Sequence, residues 1–127
     1  MTFKPKVLVV DDNAVIRKIA TMNLGRFGIH VDIAENGEEA VDKFTTNKYD
    51  LILMDVAMPV LSGLSATEQI RKLEQPGKHV PIIGVTASET PERCLNAGMD
   101  DYILKPPDYE RILRQWLPDY FETQNFG

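Results

Sequence analysis

Apolar residues gather along the chain into short runs that do not alternate with polar ones, at residues 7–10, 51–54, 81–85 and 102–104. Val, Ile and Leu dominate these runs, which is how strands buried on both faces of a parallel sheet read. Val31-Asp32-Ile33-Ala34 does alternate and fits an edge strand. Helical spacing fills the intervals. From about residue 13 to 27, Ile16, Ala20, Leu24 and Phe27 share one face, and Gly28 supplies the stop. A second helix follows the turn-like Asn36-Gly37 and carries Ala40, Val41 and Phe44. A third covers about residues 63–73, with Glu68 and Lys72 at a favourable i,i+4 spacing. A short fourth opens at Thr90-Pro91, a cap followed by proline at the first helical position. In the last, Asp108 is the cap, Tyr109, Ile112, Leu113, Trp116 and Leu117 form the stripe, and Pro118 ends it.

Strand and helix therefore alternate five times. Such alternation demands right-handed crossovers and an open parallel sheet covered by helices on both sides. For five strands the expected fold is a flavodoxin-like, doubly wound (βα)5 with sheet order 2-1-3-4-5. One domain over residues 1–127 is expected, with a core at about 6–117 and a loose tail at 122–127.

Composition narrows the functions open to such a fold. A chain of 127 residues, 43% hydrophobic, suits a compact globule rather than a disordered segment. No apolar run approaches the roughly 20 residues of a membrane span, and the start of the chain lacks the apolar stretch of a signal peptide. Cys94 is alone, so no internal disulfide is expected and a reducing cytoplasm is the expected setting. With a net charge of −5 and no basic cluster, direct nucleic-acid binding is not expected.

The chemistry lies where the apolar runs stop. Asp11 and Asp12 follow the first run, Asp55 follows the run at 51–54, and Thr86 and Lys105 follow the last two. In an open α/β sheet, ligands sit outside the carboxyl ends of the strands, where the strand order reverses. Strands 1 and 3 are neighbours in the expected order, about 4.8 Å apart, so three carboxylates converge beside a hydroxyl and an ammonium. Two like charges about 5 Å apart at an effective dielectric of 20 repel by roughly 3 kcal/mol, and one lysine cannot offset three acids. A hard divalent cation with oxygen ligands can, and few protein ligands beside a phosphoryl group suit Mg²⁺, or Mn²⁺ in its place. An aspartate beside such a cation can act as a nucleophile and carry an aspartyl phosphate.

Five stretches in order, VLVVDDN, AENGEEAV, YDLILMDVAMP, PIIGVTA and AGMDDYILKP, resemble the receiver domain of two-component response regulators over nearly the whole chain. The stretch MDVAMPVLSGLSATEQIR is similar to receivers of hybrid histidine kinases. The resemblance implies that Asp55 is the phosphorylation site and that Asp12, Asp55 and the Ala57 backbone carbonyl ligate the cation. Asp11 matches the acid that reaches the cation through water. Thr86 and Lys105 match the pair that contacts the phosphoryl oxygens, and Tyr102 the aromatic that changes rotamer with Thr86. The Lys105-Pro106 peptide is expected to be cis. The expected function is phosphoacceptance from a histidine kinase or a histidine phosphotransfer domain. The chain would catalyse only its own phosphorylation and dephosphorylation, and the output would be a changed surface on the fourth helix, fifth strand and fifth helix.

Departures from the family pattern are modest. Ala57 removes any side-chain role two residues after Asp55, Ser62 stands where Asp or Asn is frequent, and Pro107 extends the usual Lys-Pro. Among other functions, a dehalogenase-like phosphatase would need Asp-x-Asp after the first strand and a cap. A flavodoxin proper would need a hydroxyl- and glycine-rich phosphate loop where Asp11-Asp12 stand. Read alone, an Asp pair after a strand is a helix cap, but Asn13 can cap here without it. His30 and His79 read as surface or turn residues, the Met residues as packing, and Cys94 as an inert thiol.

Overall fold

The structure is a computed structural model, and residues 4–87 and 91–123 are described here. The elements run β1 (Lys6–Val10), α1 (Ala14–Gly25), β2 (His30–Ala34), α2 (Gly37–Thr46), β3 (Leu51–Asp55) and α3 (Gly63–Leu73). They continue with β4 (Ile82–Thr86), α4 (Pro91–Ala97), β5 (Asp101–Leu104), α5 (Tyr109–Trp116) and α6 (Pro118–Thr123). The five strands are parallel in the order β2-β1-β3-β4-β5, the doubly wound arrangement expected from the sequence.

The lack of alternation in the inner strands has a direct cause. Val7 and Val9, Leu51 and Leu53, and Ile83 and Val85 face one core, shared with Leu24 of α1 and Ile112 and Leu113 of α5. Leu8 and Val10, Ile52 and Met54, and Ile82 face the other, shared with Ala40 of α2, Ile70 of α3 and Cys94 of α4. Each face of a β-strand sees its own helical layer, so both must be apolar. β2 lies at the edge and is only partly covered.

Local chemistry sets the helix starts. Asn13, Asn36, Ser62 and Asp108 each accept a hydrogen bond from a first-turn amide of α1, α2, α3 and α5. Thr90 lies outside the described residues, so its capping role is not part of this picture. After α1 the chain reverses through Gly28 at φ +76°, a conformation that suits glycine. From α3, Arg71 pairs with Glu74 at 2.8 Å and with Asp100 at 2.7 Å; the expected partners Glu68 and Lys72 both stay exposed.

Pro118 corrects one expectation. It stops α5 but opens α6, because a residue without an N–H cannot continue a helix yet suits the first position of a new one. α6 is anchored by Tyr120 and Phe121, both in the first core. The Tyr120 hydroxyl donates to the Phe27 carbonyl at 2.7 Å, and the Phe121 ring lies 5.3 Å from that of Phe27. The expected loose tail overlaps the last turn of α6 at Glu122 and Thr123, and residues 124–127 lie outside the described ones.

Candidate functional site

Asp11, Asp12, Asp55, Thr86 and Lys105 meet at the carboxyl end of the sheet, as their places after the strands predict. Asp55 closes β3 and Thr86 closes β4, and both are buried, 4% and 3% exposed. The Lys105 amide donates to the Thr86 carbonyl at 2.9 Å, which carries the chain over the site after β5. The Lys105-Pro106 peptide is cis. The Lys105 ammonium lies 3.2 Å from Asp55 Oδ1 and 3.3 Å from Asp11 Oδ2. Oxygen atoms of Asp11, Asp12 and Asp55 all lie within 4.8 Å of one another. Asp12 is exposed and, among the described residues, makes no hydrogen bond or ion pair. Ala57 is exposed, and its carbonyl accepts no hydrogen bond from the described residues.

Burial and crowding leave their mark on the charges. Burial pushes Asp55 up to about 6, helped by Asp11 and, less, by Asp12, while Lys105 pulls it back only in part. Burial alone would lower Lys105, but Asp55 and Asp11 outweigh it and hold the ammonium above its ordinary value. Tyr109, buried at the start of α5, is raised by burial and then by the Asp11 charge. Three acids facing one ammonium leave surplus negative charge at a partly open pocket, which a cation with oxygen ligands would relieve.

Several supporting residues escaped the sequence reading. Gly63 packs against the Asp55 peptide so closely that a Cβ there would stand 2.0 Å from the Asp55 carbonyl oxygen. Its amide also donates to the Val56 carbonyl at 2.9 Å, tying the start of α3 to the end of β3. Gly37 is matched to the same loop: its amide donates to the Leu61 carbonyl, and a Cβ would lie 2.4 Å from that oxygen. Between them the loop makes a γ-turn, with Leu61 N–H donating to Pro59 at 2.9 Å and Val60 at φ +71°, 74% exposed. The glycines were legible as a turn and a helix start, but their contacts lie across the fold. Tyr102 stands on the same sheet face as Thr86: it pairs with Gly84, and Thr86 pairs with Leu104. It is half-buried against the core that contains Cys94 and Met99.

A family model described as the response regulator receiver domain matches residues 7–116. The chain belongs to the response regulator receiver family. The receiver is 38% identical to a probable histidine kinase 1 of Oryza sativa subsp. indica, over 91% of this chain but 16% of that protein. It thus spans about a sixth of that curated relative. Among solved structures it resembles the receiver domain of sensor histidine kinase PA1611 from Pseudomonas aeruginosa PAO1, whose magnesium ion is coordinated in the active-site cleft. That match has a TM-score of 0.81 and 38% identity, and covers 91% of this chain and 99% of that one. It also resembles a chain in the co-crystal structure of the Saccharomyces cerevisiae histidine phosphotransfer protein Ypd1 with the receiver domain of Ssk1. There the TM-score is 0.82 and the identity 30%, covering 99% of this chain and 97% of that one. Among the described residues of the receiver, no helix is long and apolar enough to cross a membrane.

Proposed function

We propose that this receiver, a single domain, takes a phosphoryl group from a phosphohistidine onto Asp55. The observation that carries the reading is a buried Asp55 carboxylate between two further acids, with an ammonium 3.2 Å away. In the transfer the N–P bond of the donor breaks, a bond from an Asp55 oxygen to phosphorus forms, and the electron pair returns to the imidazole. Asp12, Asp55 and the Ala57 carbonyl would hold Mg²⁺, or Mn²⁺, with Asp11 reaching it through water. The residues fit, since among the described residues Asp12 and the Ala57 carbonyl are uncommitted and the cluster is short of positive charge. The cation would supply charge neutralisation for the phosphoryl oxygens. Lys105 adds a second positive charge, and Thr86 presents a hydroxyl that the phosphoryl group engages. The chain catalyses only its own phosphorylation and dephosphorylation.

The donor is a histidine kinase or a histidine phosphotransfer protein, a reading supported by the likeness to the Ssk1 receiver. Beside the site, α1 exposes Val15, Ile19 and Met22, 65%, 48% and 59% exposed, at helical spacing. That apolar strip suits the surface of a docking protein better than a small substrate or a nucleic acid. A lone, buried Cys94 thiol goes with a cytoplasmic setting.

Incubation with a small acyl-phosphate donor and Mg²⁺ should add one phosphate, seen by intact mass, and chelation of the cation should prevent it. Asp55→Asn should abolish the addition. Undiminished labelling of that variant overturns the assignment.

A further inference from the structure

The turn between β1 and α1 contains a fixed acid next to a loose one. Asp11 uses every polar atom it has. Its amide donates to the Ala34 carbonyl at 3.1 Å, and its two carboxylate oxygens take Asn13 N–H at 2.9 Å and the Lys105 ammonium at 3.3 Å. Its carbonyl accepts from Arg17 Nη1 at 2.8 Å. Asp12, the next residue, has none of these ties.

Arg17 reaches that carbonyl from the first turns of α1, with a side chain only 11% exposed. Its Nη2 lies 3.5 Å from Glu35, the first residue after β2, so one guanidinium joins the β1–α1 turn to the β2–α2 turn. Its Nε is buried with no partner among the described residues. Burying a guanidinium costs desolvation, and an unpaired buried N–H adds to that cost. The side chain is therefore placed by what it holds, and what it holds is the peptide unit between Asp11 and Asp12. The orientation of that unit sets the direction from which the Asp12 side chain leaves the backbone.

We propose that Arg17 is a positioning residue. Braced on Glu35, it clamps the Asp11–Asp12 peptide and so presents the Asp12 carboxylate to the cation site, without touching cation or phosphate itself. The inference rests on the reading that this acidic cluster holds a divalent cation, and it deepens that reading.

Charge and position predict opposite signs, so the test is decisive. If Arg17 mattered only as a positive charge near the acids, removing it would tighten cation binding. If it positions Asp12, removing it weakens binding, as loss of a residue supporting a metal ligand commonly does, by about 10-fold or more. Calorimetric titration with Mg²⁺ alone is the readout. Arg17→Gln and Arg17→Lys should both bind at least about 10-fold more weakly, since a lysine keeps the charge but lacks the rigid planar fork that sets one nitrogen on the Asp11 carbonyl and another toward Glu35. Glu35→Gln, at an exposed side chain, should give a smaller loss of the same sign, about two- to threefold, with the melting temperature unchanged. Wild-type affinity or tighter binding in the Arg17 variants overturns the inference and leaves the cation site standing. No Mg²⁺ binding by the wild type overturns both. Should the Arg17 variants fail to fold, unchanged affinity in Glu35→Gln overturns it.

Discussion

The two ends of the parallel sheet each gather charged side chains, and they use them differently. At the amino ends of the strands, Arg71 of α3 donates to Glu74 and the Val80 carbonyl at 2.8 Å each, to Asp100 at 2.7 Å and to the Gly98 carbonyl at 2.8 Å. The two carboxylates also accept the Val80 and Ile82 amides at 2.7 and 2.8 Å, and His79 adds a 2.6 Å contact to Asp100. Each carboxylate there accepts from the guanidinium and from a backbone amide, and the cluster fastens α3, the approach to β4 and the approach to β5. At the carboxyl ends, Asp11 and Asp55 share the Lys105 ammonium, Asp12 makes no hydrogen bond or ion pair among the described residues, and Asp55 is pushed up to about 6. A closed cluster holds the fold, whereas one left short of positive charge is open to a ligand.

The contrast is broken most forcibly at Arg71. Arg71→Ala strands two mostly buried carboxylates, and denaturant titration should show a loss of about 3–5 kcal/mol. The folded fraction should still accept phosphate on Asp55. A loss below about 1 kcal/mol would mean that this cluster is a surface ion pair in energetic terms.

The opposite sign is expected at the other end. An unfolded Asp titrates near 3.8 and Asp55 in the fold near 6, so between these values the folded state binds the extra proton. Stability therefore falls as pH rises from about 4 to about 6 and stays lower above that range. Without cation, Asp55→Asn should stabilise the protein at pH 7.5 by on the order of 2–3 kcal/mol, and by nothing near pH 3.5. Melting curves across that range check both ends. A variant destabilised at pH 7.5 would show that the Lys105 pair, not crowding, dominates.

Thr86→Ala sharpens the comparison with the smallest effect. The variant should still be phosphorylated and should lose little stability. Amide NMR shifts around Tyr102, with and without a phosphoryl mimic, should shrink, because a phosphoryl group can shift the fold only through contacts that differ between its two states. Equal shifts in wild type and variant would refute the relay from Thr86 to Tyr102.

How much of this was legible depended on distance along the chain. The runs that became β1, β3 and β4 announce themselves because burial on two faces is written into consecutive residues; the run at 102–104 read the same way, but β5 is the other edge strand, only partly buried, with Leu104 61% exposed. The boundaries moved only by a residue or two, as where β3 takes in Asp55 and β4 takes in Thr86. The acids and the lysine were legible for a related reason, since each comes directly at the end of an apolar run.

Other features were decided by residues far apart in sequence. Arg71 and Asp100 are 29 positions apart, and nothing local marks them as partners, so His79 read as a plain surface residue. Pro118 read as an end because a proline does stop a helix, yet Tyr120 and Phe121 supply the apolar contacts that start another. Gly63 and Gly37 read as a start and a turn, while their need to be glycine comes from backbone oxygens of Asp55 and Leu61 pressed against them. By itself, then, the sequence determined the parallel sheet, its two apolar faces and the acids at the strand ends, because each follows from neighbouring residues and strand geometry. Only the tertiary structure decided that Arg17 braces the Asp11–Asp12 peptide, that Asp55 resists losing its proton and that α6 covers the first core. Those depend on which side chains the packing brings together and how much water it removes from them.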